Sequence, residues 1–263
     1  FSILSPYFFT FKNIQNLGLY AAIIGIMAAG LTVPMIVGCL DLSQYATSAL
    51  SGVLSTILVM NNNWPAGFVL IVVLLTGVII GFMNGFIVAV LRINPMIATM
   101  ATMLIIRSFC YITTKGATLL FQHKFLNSLG TGYTLLLPNS LWFMIFVFLI
   151  LGYILKYTVF GRNVYAVGAN AKASHLAGIN IKKVQIISYI ISGIAASFAG
   201  LLQTTQVGAA VPSSGSGSEM EVISAVILGG LSLAGGEGDL KGTLLGTLFI
   251  ITVTNGLTLL SVQ

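Results

Sequence analysis

Gly67-Phe-Val-Leu-Ile-Val-Val-Leu-Leu-Thr-Gly-Val-Ile-Ile-Gly-Phe-Met-Asn-Gly-Phe-Ile-Val-Ala-Val-Leu91 decides the fold. No charged side chain interrupts it, and Arg92 follows at once. An apolar run of about 20 residues can cross a bilayer as a helix. A helix is the expected form because backbone amides facing lipid must be satisfied within their own segment. Gly77, Gly81 and Gly85 recur at four-residue spacing, a stripe that lets a second helix backbone approach closely.

Working outward, similar runs lie near 17–38, 44–60, 95–113, 139–157, 185–204 and 241–261, and a shorter one at 221–234 suits a tilted or half-spanning helix. The 263 residues are 57% hydrophobic and only 6% charged, with mean hydropathy +1.04. Soluble domains carry about 25% charged residues. The chain is therefore an integral membrane protein: all-α, a polytopic helical bundle with discontinuous or half-spanning helices, in a single domain over 1–263. The net charge of +6 implies no nucleic-acid partner, because the basic residues fall between spans without interleaved aromatics. Cys39 and Cys110 lie in apolar surroundings and suit inert packing.

Arg92, then Lys156, Arg162, Lys172, Lys182 and Lys183, then Lys241 fall on one side if each intervening run crosses. That side is expected to be cytoplasmic. Asn61-Asn-Asn-Trp-Pro65, the 114–138 loop with Lys115 and Lys124, the Ser/Gly stretch 213–218 and Lys12 then face outward. Placing Lys12 outside requires another span before residue 1. The abrupt start and the lack of a tail after Gln263 agree, so both ends are expected to be incomplete.

Local chemistry adds candidates. Ser218-Glu-Met-Glu221 has the form of a capping box, Asp239 can cap the last span, and Asp41 or Ser43 can cap 44–60. Gly229-Gly-Leu-Ser-Leu-Ala-Gly-Gly-Glu-Gly238 lacks the Lys-Ser/Thr ending of a phosphate loop, so the chain is not expected to bind ATP; its glycines suit a tight turn. Asp41 and Glu221 are acids at the borders of apolar runs. Such acids are functional candidates by default, although each can equally cap a broken helix that lines a cavity. Arg107 either snorkels outward or faces a polar path. Asn84 and Asn94 flank the turn at Arg92, and Asn94-Pro95 reads as a helix boundary. His175 has no partner at metal-ligand spacing, so no metal site is expected, and nothing places it beside a nucleophile.

The segment Phe160-Gly-Arg-Asn-Val-Tyr-Ala-Val-Gly-Ala-Asn-Ala-Lys-Ala-Ser-His-Leu-Ala-Gly-Ile-Asn-Ile-Lys-Lys183 is longer than a connector needs. Ala171 to Leu176 favours a short helix, Gly178 is a natural stop, and Gly168 is expected to break the chain. A short cytoplasmic helix parallel to the membrane can dock into a partner's groove. An ordinary positive-inside loop is the alternative.

Several stretches together resemble the permease subunits of bacterial sugar ABC importers, of the ribose/xylose/galactose type that includes autoinducer-2 permeases. They are Thr158 to Asn170, His175-Leu-Ala-Gly-Ile-Asn180, Pro212, Gly217, Glu219, Ile223, Ala225 to Gly238, Asn94-Pro-Met-Ile-Ala-Thr99 with Arg107, and Leu4 to Thr10. The likeness covers nearly the whole chain. It implies the ABC importer permease fold in a bacterial cytoplasmic (inner) membrane. It also implies a second permease copy or paralogue, a separate ATPase subunit that holds ATP and Mg, and an extracytoplasmic sugar-binding protein. This chain itself would bind no cofactor and catalyse nothing.

Residues 158–184 then correspond to the coupling segment, with Arg162, Asn163, Tyr165, Gly168, Asn170, His175, Leu176 and Gly178 facing the ATPase. Asp41, Ser43, Asn94, Thr99, Arg107 and Glu221 are expected along the translocation pathway, and Pro212, Ser218 and Glu219 toward the binding protein. A further C-terminal span is expected in the family. Cys39 and Tyr45 stand where the family has glycine, and their bulk narrows whatever those glycines keep open. Other readings are a branched-chain amino acid ABC permease, an ion-coupled secondary transporter and an intramembrane enzyme. The last is disfavoured by the lack of a paired acid, base or nucleophile.

Overall fold

A computed structural model describes residues 1, 6–60 and 64–260. Leu4 and Ser5, Asn61 to Asn63 and the final residue of the last predicted span, Ser261, lie outside the described residues. Seven long helices follow the predicted runs: α1 Phe11–Ile36, α2 Gln44–Met60, α3 Ala66–Ala89, α4 Pro95–Thr114, α6 Asn139–Tyr157, α9 Ile181–Val207 and α11 Leu240–Leu259. Shorter helices are α5 Lys124–Thr131, α7 Val159–Ala169, α8 Ala171–Leu176 and α10 Glu219–Leu228. Two-residue strands pair antiparallel, β1 Leu119–Leu120 with β4 Ala209–Ala210 and β2 Tyr133–Thr134 with β3 Leu137–Pro138.

Among the described residues, six helices are long and apolar enough to cross a membrane. α2 is not among them: its 17 residues span about 26 Å at 1.5 Å per residue, short of a hydrocarbon core about 30 Å thick. Residues 37–43 before it are non-helical, so the expected full crossing at 44–60 is corrected to a helix that begins inside the bundle.

α1 is the centre of the fold. It is buried without interruption from Ala21 to Ile36, and it packs against α6, α9, α10 and α11. The outer helices α3, α4, α6 and α11 bury a minority of their positions, which leaves Ile71, Leu75, Ile79, Ile105 and Leu149 exposed. The glycine stripe on α3 does what its spacing predicts. Added β-carbons at Gly77, Gly81 and Gly85 would run into Gly193, Tyr189 and Ile186 of α9. The two helices are therefore antiparallel and in near backbone contact. Gly242 and Gly246 seat α11 on Gly229 and Ala225 in the same way.

Three local expectations change. Ser218 precedes α10, but its side chain makes no capping hydrogen bond, so the capping box does not form. Gly168 lies within α7 and does not break it. The 114–138 loop holds α5, capped by His123 Nδ1 accepting from the Leu126 N–H, with Gly130 of α5 seated on Thr205 of α9.

Candidate functional site

The chain between α1 and α2 carries a buried acid into the middle of four helices. Asp41 is 3% exposed. Its Oδ1 accepts the Ser43 N–H at 3.0 Å and the Ser43 hydroxyl at 2.6 Å, and its Oδ2 accepts the Ser192 hydroxyl at 2.7 Å. Asn84 of α3 donates to Ser43 Oγ at 2.8 Å, and Gln44 donates to Ser192 Oγ at 2.9 Å. Thr99 of α4 accepts the Leu42 N–H, and Tyr189 of α9 donates to the Leu40 carbonyl. Every strand of this net ends on the 40–44 segment. It supplies the hydrogen bonds that an unwound backbone in a membrane interior needs. No Lys, Arg or His pairs with Asp41 among the described residues. The neighbouring cavity, about 10 Å³ between Asp41, Tyr45, Glu219 and Ile223, has room for about one water. Asp41 and Ser43 thus tie the break to α3 and α9.

A second cluster joins the N-terminal half of α1 to the first turn of α2. Tyr20 of α1 and Tyr45 of α2 both point their hydroxyls at Glu221 Oε2, each at 3.5 Å. Tyr45 is buried beneath the 211–218 loop, where its ring occupies the space a side chain at Gly215 would need. Tyr20 and Glu221 stay partly open. Two tyrosine hydroxyls thus converge on one carboxylate oxygen, and Tyr20 is the exposed member of the cluster.

Arg107 neither snorkels nor stands alone. It donates to the carbonyls of Ser214 at 2.5 Å and Pro212 at 3.3 Å, and it pairs with Glu219 at 3.5 Å. It joins α4 to the 212–219 segment, so Arg107, Pro212 and Glu219 form one unit, with Ser218 on the same turn. Removing the guanidinium strands a largely buried carboxylate, which typically costs about 3 kcal/mol. Arg107→Ala is expected to lower thermal stability in detergent by that order and to make 212–219 protease-sensitive. Thermal unfolding with limited proteolysis measures both.

At the basic end, the predicted helix Ala171–Leu176 is present as α8. Asn170 caps it by accepting the Ala173 N–H at 2.9 Å. Gly178 (φ +80°) stops it: its N–H reaches His175 O and the Ile179 N–H reaches Ser174 O, a Schellman end. Leu176 is 88% exposed at the tip. His175 and Arg162 are exposed, whereas Asn163 and Tyr165 are partly covered. The Tyr165 hydroxyl donates to Gly238 O at 3.0 Å. Burial, with Asp239 nearby, pushes that phenol up from its ordinary value, so it stays a donor. Gly168 lies against Ile36 O and Gly236, and Gly236 itself donates to Ile36 O at 2.8 Å. The glycine-rich turn is thus a joint between α7 and the end of α1. Asn94 stands apart from the Asp41 net: it is exposed and caps α4 through the Met96 N–H.

The family described as the permease component of branched-chain amino acid transport systems matches residues 13–263. The chain belongs to this permease family. The ribose import permease protein of Haemophilus influenzae is 36% identical to this permease over its whole length and 82% of the relative. That of Escherichia coli K12 is 38% identical, covering 83% of the relative. The L-arabinose ABC transporter permease protein of Azospirillum brasilense is 35% identical over 99% of this permease and 77% of the relative. No solved structure matches it.

Sequence reasoning about the permease missed Gln44, Ser192 and Tyr20, and took Asn84 for a flank of the Arg92 turn. Asn84 is instead fully buried in the Asp41 net. A polar residue inside an otherwise apolar run was the available signal, but it does not say which distant partner it meets.

Proposed function

We propose that this permease is the membrane-spanning subunit of an ABC importer in a bacterial inner membrane, carrying a pentose-class monosaccharide into the cytoplasm. The names of its relatives support a sugar over the branched-chain amino acid in the family's description. The observation that carries the mechanism is the joint at Gly168. A helical unit with an exposed leucine tip rests directly on the end of α1 and the glycine-rich turn. An ATPase subunit, holding ATP and Mg, docks on 158–184 through Arg162, Asn163, His175 and Leu176. Its motion passes through Tyr165 and Gly168 to Ile36, and along 37–43 to the Asp41 net. The helices then part around Tyr20, Tyr45 and Glu221, and a sugar delivered by an extracytoplasmic binding protein near Pro212, Ser218 and Glu219 passes a second permease copy or paralogue. Weak polar contacts suffice, because a tight site retards release.

The test uses full-length permease purified from its own membrane with whatever subunits accompany it. An ATPase subunit is expected to co-purify, and proteoliposomes supplied with binding protein and ATP should accumulate labelled ribose or arabinose and exclude leucine. Uptake that survives ATP depletion would mark an ion-coupled transporter. Preferential leucine uptake would overturn the sugar assignment.

A further inference from the structure

A groove of about 1050 Å³ runs between α6, α7 and α11 at the basic end. Its walls toward the bundle's middle are apolar: Ile145, Phe148 and Leu149 of α6 and Leu244 of α11. Its mouth carries Lys156, Arg162 and Lys241, brought from three different helices. One carboxylate, Asp239, also lines it, and its Oδ1 is engaged by the Gly242 N–H at 2.7 Å. None of the three cations forms a salt bridge among the described residues. Lys241 stands in the first turn of α11, where the helix dipole disfavours a positive charge. The positive-inside tendency explains which side these cations lie on, but not their convergence on one apolar slot. Gly152, in the last two turns of α6, faces the open slot: a β-carbon there would meet no atom within 4 Å.

We propose that this groove binds an anionic phospholipid of the cytoplasmic leaflet. The acyl chain lies along α6 and α11 past Gly152, and the phosphate sits among Lys156, Arg162 and Lys241. An apolar slot continuous with a cationic mouth matches a lipid in both parts, and basic pockets between membrane helices on this side suit anionic headgroups. A soluble phosphate would leave the slot unfilled. Because the groove adjoins α7, the bound lipid braces the joint at Tyr165 and Gly238 from its lipid side.

The experiment places the full-length permease complex in nanodiscs of phosphatidylcholine with or without phosphatidylglycerol and measures retained lipid by native mass spectrometry. Phosphatidylglycerol is expected to be retained in preference. Lys156→Gln with Lys241→Gln should weaken that retention by about 25-fold, at roughly fivefold per charge removed, and leave phosphatidylcholine unaffected. Gly152→Phe should expel both lipids. A photo-crosslinking residue at 152 should label lipid. Equal retention of the two lipids, unchanged retention in the double variant, competition by inorganic phosphate, or crosslinking at 152 to protein in place of lipid would each overturn the site. The crosslink also decides the question if Gly152→Phe fails to insert.

Discussion

Gly168→Ala is expected to cut sugar uptake at least tenfold while the complex continues to hydrolyse ATP. A β-carbon at 168 would fall on Ile36 O and the Gly236 backbone, and neither can swing aside as a flexible side chain would. Overpacking of this kind costs about 1–3 kcal/mol. Here it must be relieved by moving α7 off the end of α1, which separates the docking unit from the segment that leads to Asp41. Parallel measurement of ATP hydrolysis and uptake in proteoliposomes reads the effect. Gly116→Ala, outside the coupling segment, is the control. Its left-handed φ of +74° is strained for alanine, but no neighbouring atom lies within 4 Å, so the cost is about 1–2 kcal/mol and stays in the turn after α4. If Gly168→Ala transports at the parent rate, the joint carries no motion.

Asp41→Ala is expected to be the most destabilising single change in the membrane interior. It leaves the Ser43 N–H, the Ser43 hydroxyl and the Ser192 hydroxyl without their acceptor. A buried donor left unpaired costs about 1–3 kcal/mol, so a loss of about 3–5 kcal/mol is expected after partial relaxation. The readout is a lowered thermal midpoint together with lost uptake. Asp41→Asn should fall between, because its carbonyl can still accept from Ser43 while its amide faces a Ser192 oxygen that Gln44 already donates to. Full thermal stability in Asp41→Ala would show that the break at 37–43 is held by something other than this carboxylate.

The amino-acid sequence by itself determined the parts that depend on chain neighbours and on lipid. Long uncharged runs must be helices because lipid offers the backbone no hydrogen bonds, and the α3 stripe of Gly77, Gly81 and Gly85 announces a close helix contact wherever its partner lies. The Asp239 cap and the Gly178 stop were legible for the same reason, since each acts within a few residues of itself. Partner choice was not legible. Glu221 reads locally as part of a cap, yet it turns to tyrosines 176 and 201 residues away in the chain. Arg107 reads as either a snorkelling cation or part of a polar path, yet it clamps a segment more than 100 residues on. Gly168 reads as a break, yet it keeps the helix intact and admits the backbone of α1. Only the tertiary structure decides such cases. A buried polar group or a bare backbone patch takes its meaning from whatever the packing of distant helices brings against it.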